Sequence, residues 1–184
     1  MSDAAREGLI AELLGLPAQD LLGEQHRAEA LAWARSGASL WRTAKPATPP
    51  MHLVSYVLPV DADGLLLLDH RNAGLWLPPG GHVEPGEAPQ HCAARELREE
   101  LGVETFEVGA PLMVTITQTI GQTAGHTDVS LWYPVALSRT LPLSVDPAEA
   151  SAAQWFAWDA LPLHRTDPHL ARFAALWHSL LETQ

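Results

Sequence analysis

The 184-residue chain contains one cysteine, Cys92, and one lysine, Lys45. A single thiol excludes an intramolecular disulfide framework and suits a reducing cytosol. Cations of any kind are scarce: 11 Lys and Arg stand against 22 Asp and Glu, a formal net charge of −11. Nucleic-acid binders draw their affinity from phosphate neutralisation, and anionic membrane surfaces attract basic segments, so this balance argues against both partners. Long apolar runs are missing too. No stretch approaches the roughly 18 apolar residues of a membrane span, and Asp3, Glu7, Glu12 and Asp20 interrupt the first twenty positions. The chain reads as having neither a signal peptide nor a transmembrane helix, which makes the cytoplasm the expected location.

What is present is apolar material for one core. The hydrophobic fraction is 47%, and a chain of this size can bury roughly 70% of its unfolded surface. Residues 1 to about 45 are rich in Ala, Leu and Glu with few β-branched residues, so they predict a helical segment broken at Gly15 and Pro17. Leu9, Ile10, Leu13 and Leu14 form its apolar stripe, suited to docking on the rest of the chain or to a homodimer interface. Lys45-Pro-Ala-Thr-Pro-Pro50 predicts a linker, dividing a helical extension (1–50) from a second domain (51–184). In the latter, His52–Val60 and Leu65–His70 predict a hairpin about Asp61-Ala-Asp-Gly64. A short extended piece follows at Leu75–Pro78, then a helix over Ala88–Leu101 stopped by Gly102. Further strands are expected at 103–108, 112–120, 129–137 and 153–158, with a last helix at 168–181. Elements mixed without βαβ alternation predict an α/β (α+β) fold with a mixed sheet between helices.

The acidic excess is concentrated. Seven of the 13 glutamates lie between Glu84 and Glu107, where Arg95 and Arg98 are the only cations. On the expected helix Glu99 lies about −60° and Glu100 about +40° from Glu96, so three carboxylates share one face within a turn. Like charges so placed oppose helix formation. A hard divalent cation relieves them, and Mg²⁺ or Mn²⁺ suits an all-oxygen set better than zinc. Arg95, one turn before Glu99, can orient that carboxylate, and Gly80-Gly81 allows the backbone to approach a ligand closely.

The string Gly81-x5-Glu87-x7-Arg95-Glu96-Leu97-x-Glu99-Glu100-x-Gly102-Val103 resembles the 23-residue Nudix box, with all seven fixed residues and both aliphatic positions filled. The resemblance implies a Nudix-type α/β/α sandwich hydrolase that cleaves the pyrophosphate of a nucleoside diphosphate linked to another moiety. It also implies Glu96, Glu99, Glu100 and the Gly80 carbonyl as metal ligands, with Arg95 and Glu87 fixing their geometry. The substrate class it implies is a small nucleotide, such as a nucleoside triphosphate or oxidised purine nucleotide; dinucleotides, nucleotide sugars and ADP-ribose are alternatives. A ligand-binding module that has lost catalysis is the reading from another class, but its usual mark, damage to the glutamate run, is absent.

Family members draw their general base from the box or from a distant loop. Glu149 is the acid of suitable length before Trp155, either as base or extra ligand or as an exposed carboxylate. Arg71, at a strand end, is a candidate phosphate clamp or a surface residue. His82 is a candidate phosphate contact. Trp132 is a candidate for base stacking, with packing as the default. His126 and Asp128 are candidates for substrate contact or proton transfer.

Overall fold

The computed structural model describes residues 2–45, 48–119 and 125–182. Two helices open the chain, α1 (Ser2–Gly15) and α2 (Leu21–Arg35), separated where Pro17 cannot continue a helix. Asp20 caps α2 by accepting the Gly23 N–H at 2.7 Å. Seven strands follow: β1 (Met51–Val60), β2 (Gly64–His70), β3 (Leu75–Leu77), β4 (Gly80–His82), β5 (Met113–Gln118), β6 (Thr127–Ala136) and β7 (Ala150–Ala157). Helix α3 (Pro89–Leu101) lies between β4 and β5, and α4 (Leu170–Leu181) ends the described chain.

The strands form one mixed sheet in the order β3-β2-β1-β6-β5, with β4 added on β1 and β7 on β2. Strands β1 and β6 run parallel over their whole length, from Met51↔Thr127 to Val60↔Ala136, and the other pairs are antiparallel. Successive side chains on β1 point to opposite faces. Leu53 and Val57 enter a core shared with α3 residues Ala93, Leu97 and Leu101, whereas Leu58 and Val60 join Trp132 and Phe173 beneath α4. The result is helix on sheet on helix, as the sequence predicts. Leu9, Leu13 and Leu16, with Ala30 and Ala34 of α2, belong to the same buried cluster as α3.

Two elements differ from expectation. Residues 103–108 form no strand: Val103, Phe106 and Val108 pack on the α3-side core, while the Gln90 amide donates to the carbonyls of Val108 and Gly109. A side chain thus satisfies backbone that a strand would have paired. Conversely, Gly80–His82 pairs with β1 at Tyr56↔Gly80, Ser55↔Gly81 and Val54↔His82, although glycine is poor strand material. Close approach explains it. A Cβ on Gly80 would lie 2.3 Å from the Ser55 carbonyl oxygen.

Candidate active site

Helix α3 carries the glutamate run, and its geometry follows from its ends. Pro89 occupies the first turn, and Gly102, at φ +65°, closes the helix in the left-handed conformation that glycine adopts without strain. Cys92, Ala93, Leu97 and Leu101 face the core, which turns Glu96 and Glu100 toward β4.

There the carboxylates meet the glycines. Gly80 donates its N–H to Glu100 Oε2 at 2.9 Å. A Cβ on Gly81 would sit 2.3 Å from Glu96 Oε1, so that position has no room for a side chain unless Glu96 moves. Glu100 is only 4% exposed. Burial first, and the Glu96 charge second, push its carboxyl up to about 8. Glu96 is raised for the same main reason, burial, against the lowering effect of Arg95.

Arg95 organises the group. Its Nε and Nη2 donate to the two oxygens of Glu87 at 3.0 and 3.1 Å, a bidentate pair. Its Nη1 donates to Glu96 Oε1 at 2.7 Å and Glu99 Oε2 at 3.0 Å, and Nη2 also reaches the His82 carbonyl at 3.2 Å. Burial alone would raise Glu87, but the Arg95 hydrogen bonds and charge outweigh it, and the carboxyl lies below its usual range. Three carboxylates thus share one guanidinium, and the fourth, Glu100, is held by the Gly80 N–H. The donor set is all oxygen and retains excess negative charge, which fits a hard divalent cation such as Mg²⁺.

The loop before β7 approaches from the other side. Asp146 donates its backbone N–H to the Glu100 carbonyl at 3.0 Å, and the charges of Glu149 and Asp146 both raise Glu100. Glu149 Oε2 lies 3.8 Å from His70 Nε2. The exposed Arg71 guanidinium donates to the Pro147 carbonyl at 2.7 Å and so braces this loop. Asp146 had no motif to mark it in the sequence; only the fold brings it to α3.

Other candidates fall elsewhere. Trp132 is fully buried, with its indole N–H donated to Thr115 Oγ1 at 2.9 Å and its ring against Tyr56 and Phe173. It presents no exposed face to a base, and packing accounts for it. His82 and His126 converge instead with Asp128 and with His52, which the sequence reading passed over. The ring centroids of His52 lie 4.8 Å from those of both His82 and His126. His126-x-Asp128 share a face by strand alternation, but nothing in the sequence places His52 opposite Asp128.

Among solved structures, a MutT NUDIX hydrolase from Burkholderia pseudomallei superposes with a TM-score of 0.51 at 27% identity, covering 67% of this chain and 95% of that one. The curated CTP pyrophosphohydrolase of Escherichia coli (strain K12) is 48% identical over 50 residues, 24% of this chain and 37% of the relative. The asymmetrical bis(5'-nucleosyl)-tetraphosphatase of Rattus norvegicus is 39% identical over 57 residues, 31% of this chain and 39% of the relative. The chain thus spans well under half the length of these curated relatives. The NUDIX domain model matches residues 50–177, well over half of the chain, and with the carboxylate helix in place the chain belongs to the Nudix family.

Proposed function

We propose that this protein is a metal-dependent hydrolase of a pyrophosphate bond in a small nucleotide, with a nucleoside triphosphate as the favoured substrate. One observation carries the reading: Glu87, Glu96 and Glu99 share a single guanidinium while Glu100 beside them is held by the Gly80 N–H, an arrangement that leaves excess negative charge for hard cations. The two curated relatives, named for CTP and for a dinucleoside tetraphosphate, agree in acting on nucleoside polyphosphates.

Glu96, Glu99 and Glu100, with the Gly80 carbonyl, would hold Mg²⁺, for which Mn²⁺ can substitute. Bound there, the ion supplies a water of lowered pKa and neutralises charge on the pyrophosphate oxygens. The protein's own groups do the rest. Arg95 fixes the Glu96 and Glu99 carboxylates while Glu87 fixes Arg95. Gly80 N–H holds Glu100 Oε2 and thereby sets the orientation of its other oxygen. Glu149, on the loop facing Glu100, takes the proton of the attacking water, and Arg71 beside it contacts a substrate phosphate.

The test is a panel of nucleoside triphosphates, dinucleotides, nucleotide sugars and ADP-ribose with Mg²⁺ or Mn²⁺, with products identified by mass. Cleavage between phosphorus atoms of a triphosphate is expected, and turnover confined to another substrate class would replace the assignment. Losing a metal ligand removes several kcal/mol of transition-state stabilisation, so Glu99→Gln and Glu100→Gln should each lower kcat by about 10³-fold with the fold intact. Glu100→Gln protein turning over at the wild-type rate would remove the ligand assignment.

A further inference from the structure

On the face of the sheet opposite α3, we infer a second metal site, built by His52, His82, His126 and Asp128 and suited to Zn²⁺. The four residues offer ligand atoms that all lie within 4.8 Å of one another. Three chain segments supply them, and strand geometry aims them together. His52 on β1 is the direct partner of Asp128 on β6. Val54, two residues on and therefore on the same face, is the partner of His82 on β4. His126 precedes Asp128 by two and shares its face.

The polar atoms at this point converge on a common centre. Eight buried side-chain nitrogen and oxygen atoms lack a hydrogen-bond partner among the described residues. Four of them gather here: His52 Nε2, His82 Nε2, Asp128 Oδ1 and Oγ1 of Thr117, the cross-strand partner of Asp128. Leaving such groups unsatisfied is costly, and each calls for a partner. His52 is completely buried. Asp128 Oδ1 lies 3.3 Å from His126 Nε2 and 3.5 Å from His52 Nε2. Ligands bound tetrahedrally at about 2.0–2.1 Å stand about 3.3–3.4 Å apart, so these two pairs already have the edge length of a zinc site.

Hydrogen bonds on the far side of the rings hold them in place. His52 Nδ1 donates to the Pro49 carbonyl at 2.8 Å, which leaves Nε2 as a lone pair. Thr119 Oγ1 lies 3.2 Å from His126 Nδ1 and fixes that ring from behind. Such outer partners are what orient imidazole ligands in metal sites.

Three imidazoles and one carboxylate favour a borderline ion such as Zn²⁺ over Mg²⁺. This donor set differs from the all-oxygen cluster on α3. The two sites flank β4: Gly80 and Gly81 abut Glu100 and Glu96, and His82 follows directly. Zinc at the histidines would therefore pin β4 to β1 and β6 and hold the glycines against the carboxylates from behind.

The experiment uses chelator-treated full-length protein titrated with Co²⁺ alone, then with Zn²⁺ in competition. One equivalent of Co²⁺ should give the visible ligand-field absorption of a four- or five-coordinate ion, be displaced by Zn²⁺ and survive excess Mg²⁺. His126→Asn and the half-buried His82→Asn should each lose at least about 100-fold in Zn²⁺ affinity, while Glu100→Gln keeps the spectrum. Loss of the spectrum in Glu100→Gln but not in the histidine variants would place the ion on the carboxylates and overturn the inference. X-ray absorption of the zinc-loaded wild-type protein counts ligands without any variant: three imidazoles are expected, and an all-oxygen shell, or no tight binding, would also overturn it. None of these readouts depends on turnover, so failure here and failure of the hydrolase reading are separable.

Discussion

At the scale of single residues, Arg95 shows why type matters more than charge. Its fork bonds Glu87 through two nitrogens while a third serves Glu96 and Glu99. A lysine keeps the charge and loses the fork. Arg95→Lys should therefore fold normally yet lower metal affinity or activity by about 10- to 100-fold, measured by Mg²⁺ dependence of turnover. A wild-type metal dependence would show that the guanidinium is incidental. Asp167 gives a pH-dependent case away from the site. The residue is 7% exposed, and burial pushes its carboxyl up to about 6, partly offset by the backbone N–H of His169. Because the folded state holds the protonated form, this contribution is fully present below about 4 and is lost as pH rises through about 6. Asp167→Asn should gain about 1–3 kcal/mol over wild type at pH 8 and nothing near pH 3.5, read as the Tm difference at the two pH values. Equal differences at both would remove burial as the cause. The sequence showed Arg95 and its glutamates because their spacing is local. It was silent on Asp167, and on the meeting of His52 with Asp128, because those environments are assembled from distant strands.

Elements were legible where a period or a stop signal is written in neighbouring residues. The helix break at Gly15, the Asp61–Gly64 turn and the Gly102 stop all appear in the structure where the sequence predicts them. A strand expected at 103–108 is absent and β4 at 80–82 went unassigned because the state of each is decided by a partner: the Gln90 amide in one case, the β1 backbone in the other. Strand β4 offers a test with two neighbouring glycines that fail in different ways. A Cβ at Gly80 meets the backbone oxygen of Ser55 at 2.3 Å, which cannot swing away. A Cβ at Gly81 meets the end of the Glu96 side chain, which can move. Gly80→Ala should lower stability by about 1–3 kcal/mol through overpacking. Gly81→Ala should leave Tm near wild type but displace Glu96 and weaken Mg²⁺ dependence by about 10-fold or more. The same loss of Tm in both would mean that β4 is held by something other than backbone contact.

For the whole molecule, the acidic balance and the helical extension have different explanations. Of the net −11, the stretch from Glu84 to Glu107 contributes seven acids and two cations, or −5. Much of that charge lines the carboxylate site, where bound cations would offset it. The extension, by contrast, is held by packing and by links to both faces of the sheet. Tyr133 donates to Glu12 at 2.6 Å, and Arg172 of α4 pairs with Asp20 at the start of α2. Leu9, Leu13, Leu16, Ala30 and Ala34 are buried against strands and α3. Composition changes near residue 50, but the core continues across it. Removing residues 1–47 would expose the Leu131, Tyr133 and Val135 side of the sheet, part of that same cluster, at roughly 25 cal/mol for each Å² of apolar surface returned to water. The full chain should therefore melt in one transition, and a chain starting at Thr48 should aggregate or melt far lower, with loss of both Mg²⁺-dependent turnover and Co²⁺ binding. Scanning calorimetry checks the first, and sedimentation with the metal titrations checks the second. A soluble, active fragment with unchanged Tm would show that the helices only rest on a core complete without them.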